Sequence, residues 1–231
     1  RGAGGNVTIN ATESIRLTGV AALFQPSLIS AGTFDQGNAG EVTLNTKRLI
    51  VQNGGRVDSS TVAQGTAGSV RVNAIESVEI SGTVPNSRNP SLIISSANIL
   101  DPVLRQAFLV PSTLSGESGD VTIQTGQLTV RNGAQVTVKN EGSGNAGTLR
   151  IDARSLNLEQ GGQLAASTQG GQGGNIVLQS NQMKLLQGSS ITATAGGQGD
   201  GGNVTINADV LAILRNSSII ANADRGSGGS I

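Results

Sequence analysis

Acid–base chemistry in this chain rests on carboxylates, because it contains no His, Cys, Trp or Tyr. Glu41 and Asp120 each stand just before an equivalent apolar run, VTLN and VTIQ, with Ser69 at the same position of the unit between them. Stacked carboxylates on an outer face are what a polysaccharide lyase or hydrolase would need. Two strand spacings place the pair about 9.6 Å apart. That is too long for the ~5–5.5 Å of a retaining glycosidase and at the edge of the ~6.5–9.5 Å inverting range. No aromatic subsites accompany them, so no catalytic residue is assigned and the chain is expected not to be an enzyme. A carbohydrate-active enzyme remains the alternative.

Other charges pair by position. Glu13, Arg48 and Glu76 share one place in three successive units, and Arg131 and Glu159 share another. Opposite charges on neighbouring strands help fix pairing, at about 0.2–1 kcal/mol each. GGQGDGGN (196–203) has the wrong spacing for a calcium repeat, and Asp200 has no equivalent elsewhere. Thr8, Thr43, Thr122 and Thr205 form a partial outward column, as an ice-binding face would, but Arg71, Arg150 and Val177 interrupt it.

Composition narrows the chemistry further. Without His or Cys the usual zinc, haem and thiol sites cannot be built, and no cofactor or metal is expected. The only aromatics are Phe24, Phe34 and Phe108. Fifteen Lys+Arg balance fifteen Asp+Glu, which gives no electrostatic case for nucleic acid or an anionic membrane. No apolar run approaches the ~18–20 residues needed to span a bilayer. With Arg1 first and no signal peptide in view, the 231 residues are expected to be one segment of a longer chain.

What positions these residues is a repeat. GGNVTIN (4–10) returns at 201–207, with relatives AGEVTLN (39–45), AGSVRVN (67–73), SGDVTIQ (118–124), AGTLRID (146–152) and GGNIVLQ (173–179). The second Gly of each copy sets the register: Gly5, Gly40, Gly68, Gly119, Gly147, Gly174, Gly202 and Gly229. The steps between them are 35, 28, 51, 28, 27, 28 and 27 residues. Counting from the first apolar residue of a unit, offsets 0/2, 7/9 and 15/17 are apolar, as in Leu149/Ile151, Leu156/Leu158 and Leu164/Ala166. Each pair alternates in versus out.

Three short strands per 27–28-residue unit, stacked unit on unit, predict an all-β solenoid: a right-handed parallel β-helix of seven to eight coils. A Gly at every register position implies φ > 0 or close backbone approach. Offset 3 carries Asn10, Asn45, Asn73, Gln124, Asp152, Gln179 and Asn207. An amide or carboxyl on every coil predicts a hydrogen-bonded ladder.

The two long steps hold insertions at about 20–26, 83–90 and 98–117 of an otherwise single domain. DPVLRQAF (101–108) reads as a short helix, capped by Asp101 with Pro102 at its first position. It is expected to pack as a flap; as a partner contact it would offer Asp101, Arg105 and Phe108.

The units NGAQVTVKNEGSGNAGTLRID (132–152) and QGGQLAASTQGGQGGNIVLQ (160–179) resemble the repeats of filamentous haemagglutinin-like exoproteins. They are most similar to the large two-partner secretion proteins abundant in cyanobacteria, and the likeness covers nearly the whole chain. The resemblance implies a secreted or surface-displayed adhesin shaft, with an outer-membrane transporter as export partner and a surface glycan or cell receptor as target. No secretion domain is recognisable, so export recognition is not assigned to any residue.

Overall fold

A computed structural model describes residues 2–19, 21, 26–34, 37–62, 64–99, 106 and 115–231. In chain order the strands are β1 (Val7–Asn10), β2 (Ser14–Thr18), β3 (Leu28–Ser30), β4 (Val42–Gln52), β5 (Arg56–Asp58), β6 (Val70–Ser81), β7 (Leu92–Ala97) and β8 (Val121–Arg131). They continue as β9 (Gln135–Asn140), β10 (Leu149–Glu159), β11 (Gln163–Thr168), β12 (Ile176–Leu186), β13 (Ser190–Ala195), β14 (Val204–Leu214) and β15 (Ser218–Ala223).

They form two parallel sheets. One runs β1-β4-β6-β8-β10-β12-β14, with β2 also on β4; the other runs β15-β13-β11-β9-β7-β5-β3. Each strand therefore pairs with its counterpart one repeat away, and the fold is a parallel β-solenoid of seven stacked rungs. Val121, Leu149, Ile176 and Val204 are register partners in one sheet, and Val136, Leu164, Ile191 and Ile219 in the other. This is the stacking that the constant repeat length requires.

The first two expected strands of a unit run together. β10 is one eleven-residue strand whose burial alternates through Leu149, Ile151 and Ala153 and resumes at Leu156 and Leu158. Arg154 and Ser155 both stay out of the core, so the alternation slips by one there. Two successive outward residues mean that the chain turns a corner while its rung-to-rung hydrogen bonds continue past it. An inward residue at offset 4 (Thr46, Ala74, Ala153 or Ser180) fills the inside of that corner.

The turn into the short strand is tighter. In 131–134 both central residues, Asn132 and Gly133, have φ > 0, and the Ala134 N–H bonds back to the Arg131 carbonyl. Asn53–Gly54, Gln160–Gly161 and Gln187–Gly188 repeat the geometry, which Asn and Gly tolerate best.

Two of the insertions leave the stack at this same turn. Gly19 and Gly82, both with φ > 0, start them. Ser27 and Ser91 end them, each N–H donating to the carbonyl of that glycine and each Oγ to the carbonyl of the residue before it, Thr18 or Ser81. Between Gly82 and Ser91 the chain doubles back, with Thr83 bridging Pro90. Most of 20–26, and the flap residues Asp101, Arg105 and Phe108, lie outside the described residues.

The interior is a continuous apolar column. Leu44, Leu49, Ile80, Ile123, Leu128, Leu156, Leu164 and Ile176 are all fully buried. Each is packed by rungs on both sides, so truncation leaves a cavity that a hydrogen-bonded stack closes poorly. Leu156→Ala is expected to lower the unfolding free energy by about 2–5 kcal/mol, read from the urea midpoint at unchanged slope.

Candidate functional site

The side of each rung that carries neither long nor short strand is built from glycine. None of the eight register glycines has φ > 0. Close approach is the reason for them. A Cβ on Gly40, Gly68, Gly119, Gly147, Gly174, Gly202 or Gly229 would stand closer than 3.0 Å to the carbonyl oxygen of the register glycine one rung before. Gly5, on the first rung, meets nothing within 4 Å.

A second column, three residues earlier, obeys the same rule: Gly37 faces the Gly2 carbonyl, Gly144 faces Gly116 and Gly199 faces Gly171. The pattern G-x-(A/G/S)-G is present in every copy, and after the first rung its first glycine is under the same constraint as its second.

Inward polar side chains serve these glycines. The Ser95 hydroxyl donates to the Gly68 carbonyl and accepts from the Gly119 N–H, so it ties two rungs. Asn140 and Thr168 donate to the Gly116 and Gly144 carbonyls.

The offset-3 residues are all in register. Amide-to-amide bonds link Asn10 to Asn45 and Asn45 to Asn73, both at 2.7 Å. Gln124, Asp152, Gln179 and Asn207 continue the column as exposed side chains. A different ladder joins the rungs on both sides of a gap between the third and the fourth. Side-chain oxygens of Asn6, Asp120, Asn175 and Asn203 accept the N–H of Glu41, Thr148, Asn203 and Ser230, one rung on. Asn38, Asn145, Gln172 and Asp200 do the same for Thr66, Gln172, Asp200 and Ser227. These bonds occupy N–H groups that the glycine side would otherwise leave unpaired.

This ladder accounts for two candidates for chemistry. Asp120 spends one oxygen on the Thr148 N–H, and Asp200 one on the Ser227 N–H. Glu41 pairs with Arg71 at 3.3 Å and accepts from the Thr43 hydroxyl.

The charge column needs a correction. Arg48 is in register with Ser14 and Ser77, so Glu13 and Glu76 fall one residue early. The first and third rungs each carry an extra corner residue. In the third, this bulge leaves Ile75 76 % exposed. The ions still meet: Lys47–Glu13 at 2.8 Å, Arg48–Glu13 at 3.8 Å and Arg48–Glu76 at 3.3 Å. Arg131 and Glu159 are register partners, yet the Arg131 guanidinium turns to Glu79 on the other side, at 2.7 Å.

On the outer face of the second sheet, a groove of about 640 Å³ crosses the early rungs. Phe34, Arg56, Asp58, Asn98 and Glu141 line it. Sequence reading missed it, because its residues lie far apart in the chain and share no repeat position.

The chain matches no protein-family model, no curated protein and no solved structure.

Gly147→Ala presses a methyl group into a backbone carbonyl and is expected to cost about 1–3 kcal/mol. Gly5→Ala should stay within about 0.5 kcal/mol by the same urea titration. The hydrogen bond from Lys47, and then its charge, hold the Glu13 carboxyl below its ordinary pKa; the same contact raises Lys47 above its own. The pair's contribution is therefore lost as pH falls through the lowered Glu13 value, and again as pH rises through the raised Lys47 value. NMR titration of the Glu13 carboxyl should show an upward shift on Lys47→Met.

Proposed function

We propose that this protein is a non-catalytic structural and adhesive shaft: a segment of a secreted or surface-displayed exoprotein of the filamentous haemagglutinin-like, two-partner secretion kind. Its rungs form a right-handed, three-sided β-helix, as parallel crossovers favour. The corner within each long strand, the turn into the short strand and the glycine side support that reading of the coil.

One observation carries the functional reading. The features that recur along the stack (apolar column, glycine-on-carbonyl contact and, with a gap between the third and fourth rungs, side-chain ladder) all join one rung to the next, and chemistry-bearing groups do not recur with them. Repetition of this kind builds length. An outer-membrane transporter is the export partner and a surface glycan or cell receptor the target; both come from the resemblance of the repeats. Glu41 and Asp120, the carboxylates a sugar-cleaving site would use, are engaged by Arg71, Thr43 and Thr148.

The test is product release. Incubated with a panel of plant, algal and bacterial polysaccharides, the protein should liberate neither reducing ends nor unsaturated products. Release that disappears in Glu41→Gln or Asp120→Asn would replace the shaft with an enzyme.

A further inference from the structure

We infer that the corner carrying Ile75 is a self-association site, where a second copy of this chain packs antiparallel to the first. This pairing is independent of what the shaft displays or binds.

A knob stands at that corner. The bulge of the third rung adds one residue there and leaves Ile75 76 % exposed. A bulge gives up ladder pairing and re-aims a side chain. The side chain re-aimed here is apolar and β-branched, on a rung whose core register is fixed on both sides. Few rotamers are lost when such a group is covered.

A hole lies one rung away. The first and third rungs carry the extra corner residue and the second does not, so the second is recessed between them. The hollow measures about 470 Å³, and Ala11, Thr12, Thr46 and Lys47 line it, with Ile75 as its far wall. A two-fold contact needs a surface that complements itself. Knob and hole on adjacent rungs meet that need. An axis between the second and third rungs seats each Ile75 in the other copy's hollow, against the other Ile75.

Charge selects this hollow over its neighbour. A second hollow, of about 480 Å³, adjoins Ile75 on the other side, with Gly126 and Arg154 in its lining. Seating Ile75 there moves the axis between the third and fourth rungs and sets Arg154 opposite Lys47 and Arg48. With the axis one rung earlier, Lys47 and Arg48 of each copy face Glu76 of the other. Glu13 then faces the uncharged corner of the fourth rung, Gly126 and Gln127. Within one chain Lys47 already holds Glu13 at 2.8 Å and Arg48 holds Glu76 at 3.3 Å, so a second copy extends an alternating row. Complementary charge of this kind sets register more than strength. The copies overlap over four rungs, about 14 Å along the stack. That places the contact among small, transient interfaces.

The experiment is sedimentation equilibrium of the whole chain up to about 1 mM, the range such a contact requires. A monomer–dimer equilibrium is expected, with no larger species, because a two-fold contact closes on itself. Ile75→Asp should weaken the dimer about tenfold or more while the thermal unfolding midpoint stays unchanged. Glu76→Lys should weaken it too, and Arg154→Glu should leave it as it was. The chain has no Cys, so Ile75→Cys introduces a single thiol per copy. A short bis-maleimide should join the two thiols of that dimer. The proposal is overturned if the chain stays monomeric throughout, if association runs on beyond the dimer, or if Ile75→Asp pairs as tightly as the parent. A dimer tightened by Arg154→Glu, or one whose Ile75→Cys thiols do not cross-link, overturns it equally.

Discussion

The contact on which the rest of this structure depends is backbone against backbone on the glycine side of the solenoid. Seven register glycines sit over the carbonyl of the glycine before them, too close for any Cβ. A parallel sheet fixes its strand spacing at about 4.8 Å. A side without regular strands has no such rule, so something must hold it to the same spacing. Here two columns of glycine permit it, and side-chain oxygens of Asn, Asp and Gln stitch every rung to the next except the third to the fourth. If this side were wider than the strand sides, the stack would splay and the inward positions would lose their partners.

Given that spacing, the apolar column is a consequence. A single rung has too few inward side chains to offset the entropy of ordering its backbone. Neighbours on both sides remove the remaining water, which is why residues such as Leu156 and Ile176 are fully buried in so thin a fold. Stability is therefore a property of the stack. Irregularity is pushed outward. Two of the insertions leave at glycines with φ > 0 and return at serine clasps, and the extra corner residue of the third rung extrudes Ile75 without shifting the core register on either side.

The surface divides along the same line. What repeats joins one rung to the next, and what does not repeat stands on the outside of the stack. The groove on the second sheet lies where the rungs differ from one another, with Phe34, Asn98 and Glu141 all outside the strands that carry the repeat. The amide column shows the same division in small. Its first three members bond to each other, whereas Gln124, Asp152, Gln179 and Asn207 keep the register but stand exposed.

The repeat length and the alternation within it were enough to place the inward residues, the parallel pairing and the register glycines. Each of these follows from identical positions lying one rung apart. The order of charges was also legible, but their partners were not. Arg131 is level with Glu159 and bonds Glu79, because a long side chain chooses between two rungs at equal distance. The one-residue bulges do show in the repeat, as a second apolar pair at offsets 8/10 (Ile15/Leu17 and Val78/Ile80), but spacing alone does not say which residue is extruded. The merging of two expected strands into one, the closeness that excludes a Cβ, and the meeting of Phe34, Arg56, Asn98 and Glu141 in one groove required the tertiary structure. Periodicity reports what each rung shares with the next, whereas contacts between insertions and rungs depend on distances that no period encodes.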